Sequence, residues 1–170
     1  MNRPETSEYN EYYEKYVSTV GDEDVVNVLK RQPAELNLLF ANLSEDRGNY
    51  AYEVGKWTLK EALSHLIDGE RIFAYRVLRI SRGDETPIEG FEQDGYIENS
   101  NANNRTFAEL LDEFDLQRRS NLLLINNLSD DGSRRLGTAS GMGISARGLI
   151  YIMAGHVRHH LEIFKERYSI

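Results

Sequence analysis

The sequence predicts an all-α four-helix bundle. Four long stretches repeat apolar residues at the helical period of 3.6, helix-capping residues stand at their starts, and no strand pattern competes with them. A chain of 170 residues, 40% hydrophobic and 28% charged, is long enough for one proper core. We read residues 1–21 as an N-terminal extension and 22–170 as a single bundle domain.

The elements follow in order. Thr6 to Tyr16, rich in Glu and Tyr, suggests a short leading helix packed on the bundle. The first main helix starts near Asp22 or Asp24, acids suited to a helix N-terminus, and runs through Val25, Leu29, Leu36 and Leu43. Pro33 should kink or divide it. Thr58-Leu59-Lys60-Glu61 is a capping-box pattern that opens the second helix, which ends near Arg82 before Gly83. A second box, Thr106 to Glu109, opens the third, which reaches about Leu128. Ser145 caps the fourth, which extends to about Arg167. Asn49 to Trp57 and Gly132 to Gly143 read as connectors with room for short extended pieces.

The segment from Gly83 to Arg105 is too long for an idle loop. Its roughly 22 residues span on the order of 70 Å when extended, against about 37 Å for the second helix. It can therefore cross the bundle and set the third helix parallel to the second. With the shorter connections joining antiparallel neighbours, the order is up-down-down-up.

Composition excludes several functions. A net charge of −8 argues against nucleic acid and against an anionic membrane surface, and no apolar run approaches a membrane span. The absence of cysteine removes disulfides and thiolate ligands, so any metal takes nitrogen and oxygen donors. The polar N-terminus lacks a signal-peptide core, which makes the cytoplasm the expected location.

Of four histidines, His156 and His160 stand four apart in the largely apolar fourth helix, on one face and one turn from each other. Buried imidazoles need partners, and a shared metal supplies one. His65 lies roughly 10 Å into the second helix, and His160 lies roughly 10 Å from the end of the fourth. If these helices are antiparallel, all three imidazoles meet at one depth. His159 points about 80° away from the pair and is read as a surface or supporting residue. The Glu-x-x-His pattern of di-iron bundles and the His-Glu-x-x-His pattern of zinc proteases are both absent. A mononuclear three-histidine site with an open position fits better.

Glu61 and Asp68 lie within a turn of His65, where either is placed to accept its N–H or to remain solvated. Arg76, three turns along the same face, either binds a ligand carboxylate or pairs with an acid inside the bundle. The late part of the crossing loop, Gly90 to Tyr96, returns to the metal end as a roof, which makes Asp94 and Tyr96 candidates for substrate contact and catalysis. Trp57 is expected to pack at the helix entrance.

The stretch Lys56 to Asp68 with Glu70 to Arg76, the run Gly90-Phe91-Glu92-Gln93-Asp94, and the closing Ala154-Gly155-His156-Val157-Arg158-His159-His160 resemble the DinB-like (YfiT-like) superfamily over about residues 22 to 168. The resemblance implies a four-helix bundle with a divalent metal, commonly nickel or zinc, on His65, His156 and His160. It implies thiol-dependent S-transfer or isomerisation with a low-molecular-weight thiol on a small-molecule substrate; the chemistry of a three-histidine metal, which activates water as well as a thiol, adds hydrolysis as the alternative. Arg76, Phe91, Asp94 and Tyr96 are the substrate-binding candidates. A non-catalytic metal-binding stress-response module, or a homodimer of such modules, is the reading of a different class.

Overall fold

Each long helix begins on a side chain that supplies an acceptor its first turn lacks. The computed structural model describes residues 1–170. In chain order the α-helices are α1 (Glu14–Val20), α2 (Val25–Phe40), α3 (Glu45–Gly48), α4 (Leu59–Ser81), α5 (Gln93–Glu98), α6 (Phe107–Asn126), α7 (Asp130–Arg134) and α8 (Ala146–Glu166). Asp24 accepts from the Asn27 amide at the head of α2, and Ser145 accepts from Gly148 at the head of α8. The boxes Thr58/Glu61 and Thr106/Glu109 are both reciprocal, each side chain accepting from the other's backbone N–H. Gly83, at φ 81°, stops α4 where only glycine turns freely. No helix is long and apolar enough to cross a membrane.

Side-chain contacts fix the direction of each helix. Asn103, just ahead of α6, donates to Glu61 at the start of α4 at 2.8 Å, and Thr58 donates to Asn103 at 2.6 Å. Further along, Glu70 of α4 meets Arg118 of α6, so the two helices run parallel. The Tyr168 hydroxyl, past the end of α8, donates to the Trp57 carbonyl before α4, so those two are antiparallel. Phe40 of α2 stacks on Phe107 at the start of α6 and on Phe164 near the end of α8. The order is up-down-down-up. Contrary to expectation, the shorter connections do not join adjacent helices: α2 and α4 each pack between α6 and α8, across a diagonal from one another.

The crossing loop is held along its length. β1 (Leu136–Ala139) and β2 (Met142–Ser145) form a hairpin in the connector after α6. Its turn, Ser140-Gly141, has φ of 53° and 74°, the pair of positive angles of a type I′ hairpin turn. Ile88 of the crossing loop donates to the Thr138 carbonyl and accepts from the Ser140 amide, both at 2.9 Å. The loop is thus joined to the hairpin by an isolated parallel bridge at Ile88, and α5 follows it.

Some boundaries differ from the sequence reading. The predicted leading helix from Thr6 is two 3-10 turns, Thr6–Glu8 and Glu11–Tyr13, before α1. Asn10 separates them in extended backbone, with its side chain accepting from the Tyr12 amide. α2 stops at Phe40 short of Leu43, and it runs unbroken through Pro33. Pro33 has no N–H for the Leu29 carbonyl, and the buried Arg118 donates to that oxygen at 2.9 Å instead. Arg118 also donates to both carboxylate oxygens of Glu70 and, at 2.6 Å, to Gln32. Gln32 in turn donates to the Ala154 carbonyl at 2.7 Å. This polar layer lies between two apolar clusters, one around Leu29, Val77 and Met153 and the other around Leu36, Leu66 and Phe164.

α1 lies directly on α8. A Cβ at Gly155 would fall 2.1 Å from the Tyr16 carbonyl oxygen, so only glycine admits the two backbones this close. Val17 and Val20 are buried, and the buried Arg147 clamps the Glu8 carboxylate through two donors.

Candidate metal centre

α4 and α8, antiparallel, bring three imidazoles together halfway between their ends and the polar layer. His65, His156 and His160 are all buried, and one ring nitrogen from each lies within 4.8 Å of the other two. His65 Nε2 and His156 Nε2 approach to 3.0 Å. The ring centroids are 4.8–5.1 Å apart, and the planes are inclined to one another. The i,i+4 spacing on α8 and the matched depth on α4 together produce this convergence.

Burial sets the electrostatics. It pushes the His65 imidazole down to about 4, against the pull of the Asp94 carboxylate. Burial, reinforced by neighbouring imidazoles, holds His156 and His160 well below the ordinary histidine range. At neutral pH all three rings are uncharged, the state in which imidazole ligates a metal. No carboxylate belongs to the cluster. The Nδ1 of His160 is buried without a hydrogen-bond partner, a condition that costs about 1–3 kcal/mol unless something satisfies the ring. Three closely spaced neutral imidazoles, one with a ring nitrogen that lacks a partner, fit a divalent cation.

A cavity of about 300 Å³ opens on the cluster, lined by His160, Asp94, Trp57, Tyr52 and Tyr168 among others. Asp94, carried on α5, is solvent-exposed at this cavity. The Trp57 ring packs on His65 at 4.8 Å, and Phe73 and Tyr16 each pack edge-on against His156 at 5.6 Å. His159 stands outside the trio, half-buried against Tyr16.

The other sequence candidates fall elsewhere. Glu61 hydrogen-bonds to no imidazole: one oxygen accepts from the Thr58 amide at 2.7 Å and the other from Asn103. Its place in the capping box directs it along the helix end, away from His65. Asp68 faces Arg71 at 3.8 Å and lines a polar cavity with Ser64, Arg105 and Glu113, so it too is turned from the rings. Arg76, Phe91 and Tyr96 share a different cavity, with no histidine in it. Arg76 pairs with no acid inside the bundle; it donates to the Glu89 carbonyl at 3.0 Å and the Ser140 hydroxyl at 2.9 Å. Sequence reasoning placed Trp57 only as entrance packing and overlooked Tyr52 and Tyr168. Trp57 stands just ahead of α4 and Tyr168 just past the end of α8, outside the helical periodicity that pointed to the histidines.

The sequence model of the DinB superfamily matches residues 29–164. Among solved structures the chain is similar to YfiT from Bacillus subtilis, described as a probable metal-dependent hydrolase with an unusual four-helix bundle topology. The likeness has a TM-score of 0.78 at 18% identity, covering 99% of this chain and 92% of that one. No curated protein matches the chain in sequence.

Proposed function

The chain belongs to the DinB superfamily, and we propose that it is a metal-dependent enzyme that activates water or a small thiol against a small electrophile. The observation that carries this reading is the convergence of three buried imidazoles beside a cavity that His160 lines and that also holds the Asp94 carboxylate. His65, His156 and His160 are the ligands. Held by these residues, a divalent cation would supply the Lewis acidity that makes water or a thiol nucleophilic near neutral pH.

The chain's own residues do the rest. Asp94 takes the released proton on its carboxylate and returns it to the leaving group, as a general acid–base at the cavity wall. Trp57, Tyr52 and Tyr168 form an aromatic wall that excludes water from the buried side and favours substrates with an apolar face. Trp57 packs on His65, and Phe73 and Tyr16 pack on His156; these contacts and the His65–His156 hydrogen bond hold the two rings, since no carboxylate reaches either. An open cavity and only three protein ligands favour catalysis over a structural metal, which takes four. Hydrolysis accords with the description of YfiT, and thiol S-transfer is the finer alternative within the same chemistry.

Metal-loaded protein should be screened against activated esters, amides and thiol-reactive electrophiles, with and without several cellular thiols. Turnover that requires the metal and falls about 100-fold or more in Asp94→Asn supports the reading. Equal turnover by the apo and loaded proteins contradicts it.

A further inference from the structure

The crossing loop and the far half of α4 form a second, solvent-open cavity, of about 520 Å³, remote from the histidines. Arg76 lines it at only 3% exposure. Arg71 and Arg79 line it too, but they are paired, Arg71 with Glu113 and Asp68 and Arg79 with Asp84. Arg76 faces no carboxylate in any ion pair. Its guanidinium meets only a backbone carbonyl and a hydroxyl through Nη2, and its Nε is buried without a partner. The side chain of Glu89, which supplies that carbonyl, is itself exposed. A buried cation with no counter-charge is costly, and such a charge normally finds an anion. The facing walls are apolar and aromatic, with Ile72, Tyr75, Phe91 and Tyr96.

We propose that this cavity binds a small organic carboxylate through Arg76, with the apolar body of the ligand against Phe91 and Tyr96. A monoanion fits better than a phosphate dianion, because Arg71 and Arg79 are already paired, Arg76 is the one guanidinium without an ion-pair partner, and the Glu89 carboxylate at the rim repels a second negative charge. Arg76 lies eleven residues beyond His65, about 16 Å along the helix axis. The site is therefore distinct from the proposed metal centre and does not depend on it.

The test titrates the full-length chain with benzoate, with its neutral isostere benzamide and with inorganic phosphate, followed by calorimetry and ligand-observed NMR. Benzoate should bind saturably at a roughly millimolar Kd, at least tenfold more tightly than benzamide or phosphate. Arg76→Gln should weaken benzoate tenfold or more, and Phe91→Ala should weaken it severalfold. His156→Ala should leave it unchanged, which separates this proposal from the metal reading. Should Arg76→Gln not fold, the benzoate/benzamide ratio and Phe91→Ala decide the matter. Equal binding of benzoate and benzamide, tighter binding of phosphate, or full affinity in either folded cavity variant would overturn the proposal.

Discussion

Arg118 donates through Nη1 to the carbonyl oxygen of Leu29, the acceptor that Pro33 leaves without an amide. The same guanidinium grips Glu70 through two further donors, and all of it is out of contact with water. Removing one partner strands a buried charge, which typically costs 3–5 kcal/mol. Arg118→Met alone should therefore destabilise the bundle by about that much in urea denaturation. Joint replacement with Glu70→Leu should recover a large part of the loss, because an apolar pair of similar volume needs no partner. A double variant no more stable than Arg118→Met would mean that the Leu29 and Gln32 contacts, and not the ion pair, dominate.

Gly155 precedes His156 and carries the Tyr16 backbone at a separation no side chain tolerates. Gly155→Ala forces α1 off α8, with an overpacking cost of about 1–3 kcal/mol. Because Tyr16 packs on His156, the change should also loosen that ring. Hydrogen exchange should show faster exchange across α1 while α4 and α6 keep their protection. Unchanged protection in α1 would contradict the close contact.

The N-terminal segment is also tied down by charge. Burial pushes the Glu8 carboxyl up, yet hydrogen bonds from Arg147 and Ser145 bring it down to about 2 from an ordinary 4.5. A carboxylate with a depressed folded pKa stabilises fully above its unfolded value and loses that contribution as pH falls through the folded one. Wild-type protein should thus exceed Glu8→Gln in stability by roughly 2 kcal/mol at pH 7. The gap should close between about pH 4.5 and 2. A gap that persists at pH 2, read by thermal or urea melts, would assign the difference to packing instead.

Apolar periodicity and caps made the bundle legible. The two capping boxes, the Ser145 cap and the depth match between His65 and His156/His160 all follow from local chemistry and helix rise. The same box decides between the two readings of Glu61: its oxygens accept from the Thr58 amide and from Asn103 at the helix end, and no imidazole hydrogen-bonds to it. Buried ionic contacts were not legible. Glu70 and Arg118 have the composition of surface residues, and only their meeting across two parallel helices reveals the polar layer. The hairpin falls where the sequence left room for short extended pieces, but four-residue strands interrupted by glycine carry too little alternation to reveal their pairing. The split of Asp94 from Tyr96, which face different cavities, depends on how α5 is turned, and a six-residue helix does not announce that in sequence.

The claim on which the functional reading rests is that His65, His156 and His160 hold one divalent cation. Elemental analysis of untagged protein, wild-type and His156→Ala, with X-ray absorption on the metal found, addresses it directly. The account predicts one ion per chain in the wild type, with imidazole nitrogen in its coordination sphere, and loss of that ion in the variant. Equal metal content in both proteins, or a coordination sphere without imidazole, would contradict it.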